Sequence, residues 1–164
     1  MLESIPLLLV AILFAVSIAA VALARRTDIS TIVYSATTAA SAVMLVFAVT
    51  HLLSAAAPLT KTLPLGLPWL GAHFRVDTLS AFFLGVVNLG AASASLYGLG
   101  YGKHEQAPHR VLPFYPAFLA GMNLVVLADD AFTFLLSWEL MSLASWALVL
   151  AHHRVKDNTD AGYI

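Results

Sequence analysis

The chain has 164 residues, of which 60% are hydrophobic and only 10% charged, with a mean hydropathy of +0.88. So little charge cannot cover a water-facing surface, which excludes a soluble globular domain and points to an integral membrane protein. A net charge of −1 gives no basis for nucleic-acid binding, and the lack of cysteine excludes disulfides and thiolate-held zinc or iron–sulfur sites made by this chain alone.

Ile5 to Ala24 is twenty residues without a charge, opened by Pro6 and closed by Arg25 and Arg26. A helix rises about 1.5 Å per residue, so this length reaches across a hydrocarbon core of roughly 30 Å. The rival reading is a secretory signal peptide, since Ala22-Leu23-Ala24 has the pattern of a cleavage site. A signal peptide carries its positive charge before the apolar run. Here Glu3 precedes it and the arginines follow, so the segment reads as an uncleaved first span with its N-terminus outside.

Ile29 to Leu53 is the second span, in which Ser35, Thr37, Thr38 and Ser41 can bond to their own helix or to a neighbour. Helix packing is preferred there to the lining of a water path. Pro58, Pro64 and Pro68 then rule out a continuous helix over 54–77. Leu63, Leu65, Leu67 and Trp69 alternate with period two, which suggests a short strand turned back at Leu70-Gly71-Ala72 through His73–Val76. Such a hairpin would lie at the membrane surface, and an irregular loop is the alternative. Thr78 to Gly100 is the third span, its Ala81/Gly85 and Ala94/Gly98 pairs suited to close helix approach and its Asn88 to an interhelical hydrogen bond. A polar loop, Tyr101 to Arg110, leads to the fourth span at 111–128, with Pro113 and Pro116 in or near its first turn, where proline is tolerated.

Asp129-Asp130 leaves almost no loop before the next span, so the fourth and fifth spans form a tight helical hairpin. The acidic pair reads as a helix cap, with Asp130 accepting backbone N–H bonds, in preference to a cation site. The fifth span, Ala131 to Ala151, carries one ionisable group, Glu139, within about one turn of the bilayer midplane. An ionised carboxylate at that depth is costly without a partner or water, and such residues are usually functional. Burial favours a carboxylate's protonated form. A group that loads and unloads a proton there does the chemistry of a relay. The alternative is a structural carboxyl hydrogen-bonded to a neighbouring helix through Ser142, one turn on.

After a polar turn, Asn158, Thr159 and Asp160 would cap a further helix starting near Ala161, so 161–164 reads as the start of a sixth. His104, His109, His152 and His153 contain no H-x3-H pair, and adjacent histidines on a helix diverge. They are read as a pH-sensitive loop face or a partner contact rather than a metal site. No haem, phosphate or nucleotide motif occurs, and no cofactor is expected. With the N-terminus outside, the inner side holds Arg25, Arg26, Lys103, Arg110, Arg154 and Lys156, and the outer side only Lys61 and Arg75. Six against two follows the positive-inside rule and puts Glu3, Asp77, Asp129 and Asp130 outside.

The run YPAFLAGMNLVVLADDAFTFLLSWELMSLASWALV resembles the fourth and fifth transmembrane helices of the antiporter-like proton-conducting subunits of respiratory complex I, membrane-bound hydrogenases and Mrp sodium/proton antiporters. HFRVDTLSAFF is similar to that family's periplasmic hairpin running into its third helix, and NTDAGYI to the approach to its sixth. WELMSLASW followed by AHHR most resembles the branch of hydrogenase-4 component B and the formate hydrogenlyase membrane subunit. The resemblance implies an all-α membrane fold, the N-terminal five helices of a fourteen-helix antiporter-like bundle in a bacterial inner membrane. It implies partners among the other membrane subunits of a hydrogenase or complex I-like assembly, with protons, or else sodium, as the ion.

It also matches Glu139 to the family's fifth-helix glutamate, which in relatives pairs with a lysine on a broken seventh helix and is taken to modulate proton transfer. Later lysines and a histidine complete the relay there. No lysine lies inside any span here. The resemblance therefore implies the N-terminal part of a longer subunit, not able to conduct protons alone. The competing classes are a structural or assembly membrane subunit, and a membrane enzyme or metal transporter using the inner-side histidines.

Overall fold

A computed structural model describes residues 2–26, 28–54, 56–65, 71–102 and 108–152. Leu67 and Trp69 of the expected strand, Lys103 and His104 of the polar loop, and everything from His153 to the expected helix at 161–164 lie outside the described residues. So do the side chains of His109 and His152. A 3-10 turn at Leu2–Ser4 leads into α1 (Ile5–Ala22) and α2 (Ile29–Leu53). The strands β1 (Leu59–Leu63) and β2 (Ala72–Val76) follow, then α3 (Thr78–Tyr101). A single turn, α4 (Pro108–Val111), precedes α5 (Phe114–Leu127) and α6 (Ala131–Val149). The helices α2 and α3 pack along each other, as do α5 and α6, and α1 joins the two pairs.

Four segments, Leu2–Ala22, Ile29–Leu53, Thr78–Tyr101 and Ala131–Val149, are long and apolar enough to cross a membrane. The expected span at 111–128 is different. Pro113 lacks an N–H and disfavours helix at the residue before it, so the segment breaks into α4 and the 14-residue α5. At about 1.5 Å per residue α5 is roughly 21 Å long, short of the hydrocarbon thickness. The break is tied to α1, because the Ser17 hydroxyl donates to the Pro113 carbonyl at 2.6 Å. The first span also stops at Ala22, two residues before the expected end, and the chain turns there toward Arg25 and Arg26.

The strands pair antiparallel with Leu59 opposite Val76, Lys61 opposite Phe74 and Leu63 opposite Ala72. The first strand thus lies before the expected 63–69. Leu59-Thr60-Lys61-Thr62-Leu63 alternates too, Thr is a good strand former, and the proline at 64, with no N–H for a ladder, ends it. On β2 the alternation is sharp: Ala72, Phe74 and Val76 are buried against the bundle. Gly71 closes the hairpin at φ +70°, a backbone conformation that suits glycine.

Small and polar residues fill the helix contacts, and large apolar ones cover the outside. Ala48, Ala81, Ala120, Thr37 and Ser41 are fully buried, whereas Leu8, Val46, Phe82 and Leu96 are exposed. That is the pattern of a bundle dissolved in lipid, where close packing between helices replaces hydrophobic burial as the cohesive force. Gly121 of α5 lies directly on the α6 backbone, and a Cβ there would sit 2.8 Å from Met141 Cα. Gly98 of α3 and Gly102 just after it make a notch for the Tyr34 ring of α2 in the same way.

Candidate functional site

The acidic residues singled out in the sequence fall into two separate groups. The first lies where α6 begins. Asp130 is the N-cap of α6, one carboxylate oxygen accepting the Thr133 backbone N–H at 2.8 Å and the other the Thr133 hydroxyl. That second oxygen also accepts the backbone N–H of His73 at 3.0 Å and lies 3.5 Å from the His73 ring. These donors, the Thr133 hydroxyl foremost, hold the Asp130 carboxyl down to about 2. Its neighbour Asp129 takes the Arg75 guanidinium at 2.9 Å and donates its backbone N–H to the His73 carbonyl. Phe74 pairs with Ala128 in an isolated bridge.

Arg75 also reaches Asp77, 3.6 Å away, which caps α3 in a reciprocal box with Ser80. The Ser80 backbone N–H in particular lowers the Asp77 carboxyl below its ordinary range. The β-hairpin is thus fastened to the starts of both α3 and α6, and Asp129 and Asp130 are committed to that fastening. The spacing D-x-x-T foretells the Asp130 cap; nothing local foretells His73 as its companion or Arg75 as that of Asp129.

Glu139 stands apart. It is the ninth of nineteen residues in α6, exposed on the helix face turned away from α5. Thr133, Ser137 and Ala144 are the buried residues of this helix, and Glu139 lies roughly 160° around the helix from Ser137 and roughly 140° from Ala144. Its face is otherwise apolar, with Leu135, Leu136 and Leu143 exposed beside it. Among the described residues Glu139 has neither a hydrogen bond nor an ion pair. The half-buried Ser142, expected as a helix link, makes no bond to it. The structure therefore brings Asp129 and Asp130 together and leaves Glu139 and Ser142 at a distance from them.

Deeper in the bundle runs a polar seam. Asn88 of α3 donates to the Asn123 side-chain oxygen at 2.7 Å, both residues being essentially without solvent exposure. Each amide also donates to the carbonyl four residues back on its own helix, Leu84 for Asn88 and Leu119 for Asn123. Ser95 and the Tyr115 hydroxyl meet at 2.8 Å between the same helices. The interhelical role of Asn88 is as the sequence suggests; Asn123 as its partner is not visible there. Thr37 and Thr38 bond to their own helix. His51, buried on α2 and stacked on Phe47, has no partner for its Nε2 atom among the described residues.

No protein-family model matches the chain. The fold is that of an antiporter-like membrane bundle: a solved Mrp complex from Dietzia sp. DQ12-45-1b aligns with a TM-score of 0.71 at 22% identity, over 91% of this chain and 27% of that one. By sequence, uncharacterized protein Rv0083 of Mycobacterium tuberculosis is 38% identical over 96 residues, 58% of this chain and 15% of the relative. Hydrogenase-4 component B of Escherichia coli is 36% identical over 92 residues, 55% of this chain and 14% of the relative. The chain is thus related to the antiporter-like membrane subunits, with hydrogenase-4 component B and, more distantly, NADH-quinone oxidoreductase subunit L among its homologues. The matched stretch is only about a seventh of these relatives' length.

Proposed function

We propose that the chain is the N-terminal portion of a proton-translocating subunit in a redox-driven membrane complex of the hydrogenase-4 or complex I type, and that Glu139 carries protons within the membrane. The observation that carries this reading is the position of Glu139: mid-helix, on an apolar outward face, with no partner among the described residues. A carboxylate facing hydrocarbon is unfavourable, so that face of α6 suits a neighbouring helix that brings a cation or hydrogen-bond donor. The relatives named above are subunits of larger assemblies by their names, which supports other membrane subunits as the source of that helix. The N-terminus and the hairpin then lie on the outer side of a bacterial inner membrane, in keeping with the basic residues Arg25, Arg26 and Arg110 at the other end. Asp129 and Asp130 support this arrangement by fastening the hairpin to the start of α6.

The second reading, a structural subunit in which Glu139 only joins helices, is favoured by the same exposed face. Glu139→Gln in the assembled complex separates the two, because glutamine keeps shape and hydrogen bonding but cannot ionise. Proton pumping should fall while assembly persists; equal loss of both would support the joining role and sink the relay. For the orientation, cysteines placed at Thr60 and Gln106 and treated with an outside-only reagent should label at 60 alone. Labelling at 106 alone would invert it.

A further inference from the structure

The helices α1 and α6 both pack on α5, and between them lies a groove of about 400 Å³. Leu7 and Phe14 line it from α1, Leu136 and Leu140 from α6, and Phe74 from the hairpin at one end. Two hydroxyls reach its wall, and both are occupied: Thr133 donates to Asp130, and Ser137 donates to the Thr133 carbonyl. The groove therefore asks no hydrogen bond of an occupant. A space of about 400 Å³ along the groove suits a single hydrocarbon chain.

At the hairpin end a small recess shares Leu7 and Phe74 with the groove and is lined by Glu3, Lys61 and Arg75. Arg75 is taken by Asp129 and Asp77. Lys61 and Glu3 are in no ion pair among the described residues. Lys61 stands opposite Phe74 in the strand register, on the half-buried side of β1 with Leu59 and Leu63. Its stem can lie on apolar surface while the ammonium reaches the rim. One cation and one anion at the mouth of a hydrocarbon slot complement a headgroup that itself has both charges.

We propose that this groove binds an aminophospholipid in the leaflet on the hairpin side, one acyl chain between α1 and α6, its phosphate on Lys61 and its ammonium on Glu3. The proposal does not depend on ion translocation.

The test uses the purified chain in detergent with phosphatidylethanolamine, phosphatidylcholine or phosphatidylglycerol of identical acyl chains, read by native mass spectrometry. Phosphatidylethanolamine should be retained about fivefold over the other two, a difference the size of one exposed charge interaction. Phosphatidylglycerol has no ammonium, and the quaternary ammonium of phosphatidylcholine has no N–H to donate to Glu3 and cannot approach it as closely. Lys61→Gln should weaken all three lipids, and Glu3→Gln should remove only the preference for ethanolamine. Ala11→Phe, which fills the groove, should abolish retention with helical circular dichroism unchanged. A phosphatidylethanolamine bearing a photoreactive acyl chain checks the site without any substitution and should crosslink to peptides containing Phe14 or Leu136. Crosslinks confined to the exposed α3 face around Leu89 and Leu96 would overturn the proposal. So would retention blind to headgroup, or a dimer that Ala11→Phe dissociates, since a second copy would then occupy the groove.

Discussion

The Asn88–Asn123 bond offers the most direct test of how this bundle is held. In Asn123→Leu the side chain keeps its branching and length but loses the acceptor for one Asn88 N–H. Asn88 retains its bond to the Leu84 carbonyl, and its other N–H faces an interior with almost no solvent exposure. Interhelical bonds in membranes are worth about 0.6 kcal/mol on average and about 1.7 at most. An orphaned buried donor adds roughly 1–3 kcal/mol in a soluble protein, less where the unfolded state also lies in lipid. The single substitution should therefore cost about 1–2 kcal/mol. The double variant, Asn88→Leu with Asn123→Leu, orphans nothing and should cost about 1 kcal/mol less than the two single losses summed. The assay is reversible unfolding in mixed micelles titrated with sodium dodecyl sulfate, followed by circular dichroism. Losses that add to within about 0.3–0.5 kcal/mol, the agreement expected of independent sites, would refute the coupling.

Gly121→Ala should destabilise the chain by about 1–3 kcal/mol in the same titration, because the new Cβ meets Met141 backbone, which cannot rotate away. Gly90→Ala, where nothing lies within 4 Å, should be neutral or slightly stabilising. Arg75→Ala and Asp129→Ala should each loosen the hairpin, seen as faster amide exchange at Phe74 and Val76, and the double variant should be no worse than Arg75→Ala alone, which also loses the Asp77 contact. Asp130 has a folded pKa of about 2, below its ordinary 3.8, so its contribution to the α6 cap is fully present above about pH 4 and is lost as pH falls toward 2. Exchange at Thr133 should accelerate over that acid window relative to the intrinsic rate, and Asp130→Asn should flatten the effect. Reconstituted alone in liposomes, the chain should pass no protons above an empty-vesicle background, since Glu139 is the one carboxylate near mid-depth and no lysine lies in any span. A Glu139-dependent flux would show that the relay is complete without further helices.

Length, apolarity and proline placement are local properties, and they sufficed for the four long spans, for the break over 54–77 and for the cap at Asp130. A helix of some twenty apolar residues has little choice in lipid, where every backbone group must be satisfied within the segment. The hairpin was half legible. The stretch 59–63 alternates as the expected 63–69 does, and its pairing with Ala72–Val76 is not readable from alternation alone. The helix within the expected 111–128 is shorter than that stretch, because hydropathy alone does not register how Pro113 ends one turn and begins another. What lay wholly beyond the sequence was pairing between distant residues: Asn88 with Asn123, Arg75 with Asp129, Ser17 with Pro113. The same holds for the direction Glu139 faces. Since α6 is apolar nearly all round, its own pattern does not say which side packs inward. That side is chosen by Gly121, whose missing side chain lets Met141 settle on α5 and turns Glu139 outward.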